Sequence, residues 1–223
     1  MEKLNRKIPV KFIAIYCLVF YFLWTLFELY VSPSIDDLIS NEISAQFIKS
    51  GLIKNIVWTI PAWILLYRFD EYAYIKSNEI FKTKVKWLRY LPIFVVFAVY
   101  LLVGRIISNG KLAISHDFGI PALIIVLFVG LTEEMVFRGL LLNITLRDEY
   151  KWSSVLINAG MFLLIHFPIW IYKGELIANF KSLGFFCVII LSVIFSWTFI
   201  KSRNIFVPIL LHMFWDLLMF VFY

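Results

Sequence analysis

The sequence predicts an all-α fold: a polytopic transmembrane helical bundle of about seven spans. Composition and pattern both predict it. Of the 223 residues, 62% are hydrophobic and 16% charged. A soluble domain averages about 45–50% apolar and about 25% charged. The mean hydropathy is +0.87. The apolar residues fall into runs near the ~20 residues that a helix needs to cross a bilayer.

The first run, 8–31, superficially resembles a signal peptide. It is long enough to span, and no small-x-small cleavage site follows it, so it reads as a retained helix. The second run, 51–67, is short and carries Pro61. The third is 88–107, and the fourth, 119–146, is interrupted by charge. The fifth, 152–172, holds Pro168, which either kinks the span or is simply tolerated within it. The sixth and seventh, 183–200 and 204–222, are separated by Lys201–Arg203 and form a tight hairpin.

Lys and Arg placement orients the chain. With a cytoplasmic N-terminus, the inside segments hold Lys3, Arg6, Lys7, Lys11, Arg68, Lys76, Lys82, Lys84, Lys86, Arg89, Arg147, Lys151, Lys201 and Arg203, which makes 14. The outside segments hold Lys49, Lys111, Lys173 and Lys181, which makes 4. Lys54, Arg105 and Arg138 fall within spans. The net charge of +6 is therefore assigned to topology and anionic lipid, and nucleic acid is excluded as a partner. The 76–89 segment reads as a solvated, lipid-facing loop. Cys17 and Cys187 lie inside apolar runs and read as core residues with no disulfide role. Seven of the eight tryptophans, Trp24, Trp58, Trp63, Trp87, Trp152, Trp170 and Trp197, read mostly as interfacial anchors or lipid-facing bulk.

Ionisable groups inside a bilayer are costly, so each needs a partner or a task. Span four carries Glu133, Glu134 and Arg138, span five His166, and span seven His212 and Asp216. Glu134 and Arg138 stand four residues apart with the acid first, the favourable order for an ion pair on one helix. Successive residues point about 100° apart, so Glu133 faces elsewhere and must find its partner on another helix. His212 and Asp216 share a face, as do Phe162 and His166. At about 1.5 Å per residue, Glu133 lies ~20 Å, His166 ~21 Å and His212 ~13 Å from the cytoplasmic helix ends. The expectation is one polar layer between spans four, five and seven, reached from the cytoplasmic half.

A carboxylate beside an imidazole can take a proton from water, and the resulting nucleophile can attack a carbonyl. A second imidazole can donate to the oxyanion. Neither cysteine has a neighbouring histidine, and no intramembrane serine carries a flanking glycine motif, which disfavours covalent catalysis. A Glu/His/His/Asp set can also hold zinc, but the H-E-x-x-H metalloprotease motif is absent.

These residues carry a family resemblance. E-E-M-V-F-R at Glu133–Arg138 resembles the E-E-x-x-x-R signature of the CPBP family, the CAAX protease and bacteriocin-processing (Abi-type) group. F-L-L-I-H at Phe162–His166 resembles its F-x-x-x-H motif, and H-M-F-W-D at His212–Asp216 its H-x-x-x-N/D motif. The resemblance covers about 119–222. It divides one membrane domain into variable N-terminal helices, 1–118, and a catalytic core, 119–223.

The resemblance implies an intramembrane glutamic endopeptidase, similar to the type II CAAX prenyl endopeptidase, that uses no metal and no cofactor. It implies that Glu133 and His166 activate water and that His212 and Asp216 form the oxyanion site. Glu134, Arg138 and Phe162 then support the site. Asp216 stands where the prenyl protease has Asn; either it is protonated, or it only orients His212. The implied substrate is a membrane-associated peptide, either a leader peptide or a lipidated C-terminus; the family and the compact chain point to a bacterial plasma membrane, with an endomembrane as the alternative. A competing reading is bacteriocin self-immunity or regulation by partner binding. A third, a transporter or proton relay, would be favoured by inverted repeats, and none is found.

Overall fold

The computed structural model describes residues 10–147, 151–182 and 184–223. All regular structure among them is helical. The helices are α1 (Val10–Leu38), α2 (42–68), α3 (Leu91–Asn109), α4 (Ile120–Thr145), α5 (Lys151–Tyr172), the short α6 (Leu176–Lys181), α7 (Gly184–Ser202) and α8 (Phe206–Phe222). Five of them, α1, α3, α4, α5 and α7, are long and apolar enough to cross a membrane, and α8 is apolar but shorter. The polytopic helical bundle is thus the architecture, whereas the count of seven remains an expectation. The beginning of the first predicted run, with Lys3, Arg6 and Lys7, lies outside the described residues, as does residue 183.

Local chemistry explains the breaks. Pro92 and Pro121 open α3 and α4, where a missing N–H costs nothing. Gly110, at φ 72°, closes α3 in the left-handed conformation that glycine accepts without strain. Pro168 lacks the N–H that an uninterrupted α5 would use, and the helix is interrupted by a turn at Ile165. At this break the Ile165 carbonyl accepts from Trp24 Nε1 of α1 at 3.1 Å. In α4 the turns from Met135 to Leu142 widen to a π-helix. The Phe137 carbonyl in this stretch accepts from Asn158 Nδ2 of α5 at 2.9 Å.

The bundle has two dissimilar ends. At one, the 69–90 segment folds against the ends of α4 and α7. Asn143 bonds both the N–H and the carbonyl of Ile75 at 2.8 Å. The Asn204 amide reaches the Thr83 carbonyl at 2.8 Å, and the Ile205 N–H reaches the Ile80 carbonyl at 2.9 Å. Ile75 and Ile80 are fully buried. The basic stretch keeps the expected solvent exposure at Lys82, Lys84, Lys86 and Arg89, while Ile75, Ser77 and Ile80 plug this end of the bundle. At the other end, Ser115 N–H meets the Val221 carbonyl at 2.7 Å, so the α3–α4 connection covers the end of α8.

The core is aromatic. Phe20, Trp24 and Trp58 pack with Phe137 and Phe162 in one cluster, and Phe97, Phe195 and Trp215 form another. Trp24, Trp58 and Trp170 are buried, unlike the lipid-facing bulk expected of them, whereas Trp87, Trp152 and Trp197 are exposed. Trp24 and Trp58 turn inward because their rings pack together at 4.9 Å beneath a buried charge pair described below. Cys17 and Cys187 are free and pack against the two different clusters.

Candidate active site

The two consecutive glutamates of α4 diverge as helical geometry requires. Glu134 is wholly buried, whereas Glu133 keeps 7% of its surface exposed, on a cavity wall.

Glu134 sits in a network of three helices. Its Oε1 lies 2.9 Å from Arg138 Nη1 and 2.9 Å from Nδ1 of His212 on α8. Arg138 Nη2 also donates to Ser192 on α7, at 2.7 Å to Oγ and 3.1 Å to the carbonyl. The guanidinium lies 4.5 Å from the Phe162 ring and 5.4 Å from the Phe195 ring, within cation–π range. A buried guanidinium needs such a set of acceptors and faces, because each unpaired donor would cost desolvation energy.

His212 is held by its environment. Nδ1 is fixed on Glu134, the ring stacks on Phe195 at 5.0 Å, and Phe162 meets it edge-on at 5.8 Å. This leaves Nε2 turned towards Asp216 Oδ2 at 3.5 Å and Glu133 Oε2 at 3.8 Å. His166 is held differently. Its Nδ1–H donates to the Phe162 carbonyl at 2.9 Å, since a carbonyl can only accept. In the neutral ring, Nε2 is therefore the acceptor. Phe162 and Trp170 flank this ring at 5.1 and 5.6 Å.

The structure thus brings Glu133, Glu134, His212 and Asp216 into one cluster. It places His166 with Glu133 on the wall of a shared cavity of about 430 Å³, which His212 and Asp216 do not line. No hydrogen bond joins Glu133 to His166 among the described residues. Sequence spacing pairs Glu134 with Arg138 alone and leaves orientation of His212 to Asp216. In the structure, Glu134 makes the short contact to His212 and Asp216 the long one.

The cavity also corrects the expected side of access. Its outer wall carries Asp36, Gln46, Lys49 and Lys173, at the end where α1, α2 and α5 meet the 39–41 and 173–175 turns. The opposite end, by the basic 69–90 segment, is the plugged one. The depth estimate measured every helix from the basic end and could not see that the loop there folds inward.

Two cavity residues escape a motif-based reading. Glu28 of α1 and Lys54 of α2 form a buried ion pair at 2.8 Å, with the ammonium 4.7 Å from the Trp24 ring and 5.4 Å from the Phe27 ring. Both line the cavity with Glu133 and His166. Their signal in the sequence was a lone acid in one apolar run and a lone base in the next, which in lipid calls for mutual pairing. Among the described residues, no group of three or more His, Cys, Asp and Glu side chains has metal-binding geometry.

Residues 116–218 match the family described as Type II CAAX prenyl endopeptidase Rce1-like. The matched stretch contains all three motifs and agrees with the resemblance drawn from them. No curated protein and no solved structure matches the chain. Together with the apolar helices, the family match supports an integral membrane protein and a hydrolase of the CAAX-protease kind.

Proposed function

We propose that this chain is an intramembrane glutamic endopeptidase that cleaves a membrane-associated peptide without a metal ion. The observation that carries the proposal is the position of Glu133. It is an acid on a cavity wall shared with His166, 3.8 Å from Nε2 of a histidine fixed from behind.

In this mechanism a water molecule enters the cavity between Glu133 and His166. Glu133 removes one of its protons while His166 Nε2 accepts a hydrogen bond from the other. The water oxygen bonds to the peptide carbonyl carbon, and the carbonyl oxygen becomes the oxyanion. His212, held at Nδ1 by Glu134, donates from Nε2 to that oxyanion in its doubly protonated form. The C–N bond then breaks, and Glu133 returns its proton to the leaving amine. Asp216 Oδ2, 3.5 Å from Nε2, stabilises the charge of that imidazolium and leaves its N–H to the oxyanion. Residues 119–223 supply the catalytic core, and 1–118 close the cavity with Glu28 and Lys54. The substrate class is a leader peptide or a lipidated chain end.

The test compares Glu133→Ala with Glu134→Gln in cleavage of candidate membrane peptides. Loss of cleavage in a folded Glu133→Ala protein is expected. If Glu133→Ala cleaves at the native rate, the hydrolytic mechanism is wrong. Toxin resistance retained by the same variant would point instead to a binding role in immunity.

A further inference from the structure

We infer that substrate reaches Glu133 and His166 from the face of the membrane opposite the basic loops. The scissile bond then belongs to an exported or trans-facing segment of a membrane-bound polypeptide, which selects the leader peptide over the lipidated chain end among the two substrate classes above. This rests on the hydrolase reading above and adds the side and class of its substrate.

Three independent observations converge. The first is the seal. At the end of the bundle formed by the 69–90 segment, Ile75 and Ile80 are fully buried, and Asn143 and Asn204 hold the segment down through backbone bonds. The second is the opening. The cavity that reaches Glu133 and His166 runs out past Lys54 to Asp36, Gln46, Lys49 and Lys173, all towards the other end. The third is charge. The sealed end gathers Arg68, Lys76, Lys82, Lys84, Lys86 and Arg89, and loops rich in Lys and Arg stay cytoplasmic. A cavity opening away from them faces the trans side.

Depth sets the length of chain required. Glu133 follows Ile120, the first residue of α4 at the open end, by a helical rise of roughly 20 Å. An extended peptide covers that distance with about six residues. Scissile bonds closer than this to a bulky folded domain on the trans side would not reach the glutamate.

Access can be read without catalysis. In the full chain carrying Cys17→Ser and Cys187→Ser, the variants Gln46→Cys and Lys84→Cys are exposed to a membrane-impermeant maleimide in sealed bacterial spheroplasts. Gln46→Cys should react in sealed spheroplasts, and Lys84→Cys only after permeabilisation. The reverse pattern overturns the inference. Lys173→Cys and Lys82→Cys repeat the comparison if either variant fails to accumulate. Single-span reporter peptides then carry a cleavable stretch on one side or the other. Cleavage of the trans reporter, lost in Glu133→Ala, is the expected result, and cleavage confined to the cis reporter overturns the substrate assignment. Cleavage of neither reporter, with the expected labelling, rejects the hydrolase reading and the substrate class with it, while leaving the side of access standing.

Discussion

Nδ1 of His212 lies 2.9 Å from Oε1 of Glu134, the same oxygen that meets Arg138 Nη1 at 2.9 Å. One carboxylate oxygen thus ties α4 to α8 and, through Arg138 and Ser192, to α7. The other oxygen, Oε2, is buried with no hydrogen-bond partner among the described residues. The second glutamate of the pair is therefore the anchor of the site, and the first is free to face the cavity.

This division of labour predicts different failures for neighbouring residues. Glu134→Ala leaves the fully buried Arg138 without its counter-charge, a loss of about 3–5 kcal/mol for a broken buried pair. Glu133→Ala breaks no short contact and should unfold in detergent at nearly the native temperature. Glu133→Gln should lower the cleavage rate by about 10²–10⁴-fold, the usual contribution of a general base. Equal melting temperatures for the two alanine variants would contradict the anchor role of Glu134.

Asp216 is predicted to tolerate an amide. It stands 3.5 Å from His212 Nε2, beyond a good hydrogen bond, while Nδ1 is already fixed by Glu134. Asp216→Asn keeps size and polarity, so cleavage should stay within about tenfold of native, below ~1.4 kcal/mol in barrier. Asp216→Leu removes the nearer of the two carboxylates that face Nε2 and should cost far more. Initial rates on one peptide substrate decide this. A collapse of activity in Asp216→Asn would show that the negative charge itself is needed.

The Glu28–Lys54 pair predicts a non-additive result. Lys54→Ala strands a buried carboxylate, and Glu28→Ala strands a buried ammonium, each at a cost of about 3–5 kcal/mol. Replacing both together, Glu28→Leu with Lys54→Met, removes two charges and leaves an apolar contact. The double variant should therefore melt above either single one. A double variant less stable than both singles would mean that the two charges serve other partners.

Much of this site was legible in the sequence, and the reasons for the remainder are specific. Glu133, Glu134, Arg138, His166, His212 and Asp216 announced themselves because a charge in an apolar run demands explanation. Helical spacing alone separated Glu133 from the Glu134–Arg138 pair. Spacing within one helix says nothing of contacts between helices, so Glu134 appeared to serve only Arg138. Glu28 and Lys54 were hidden for the same reason, since each looked like an isolated charge until α1 and α2 were brought together. In the 69–90 segment the lysines signalled solvent correctly, but Ile75, Ile80 and the bonds from Asn143 and Asn204, which decide its position, were not legible from charge. The tryptophans misled for another reason: in a bundle this aromatic, Trp24 gains more by covering the Lys54 ammonium, and Trp58 by packing on Trp24, than by facing lipid.

The spacing between α4 and α8 predicts a last, separable effect. Gly130 stands one turn before Glu133, and Met213 follows His212. A Cβ at Gly130 would lie 2.9 Å from Met213 Cγ and 3.4 Å from its backbone nitrogen. Small residues at such crossings let membrane helices approach closely. Gly130→Val should force α8 away from α4, lengthen the distance from Glu133 to His212, and reduce cleavage together with about 1–3 kcal/mol of stability, as overpacking does. Met213→Ala clears the side-chain clash but not the backbone contact. In that background Gly130→Ala should regain near-native activity, while Gly130→Val regains only part. If Gly130→Val alone cleaves as well as the native chain, close apposition of α4 and α8 is not what brings Glu133 and His212 into working range.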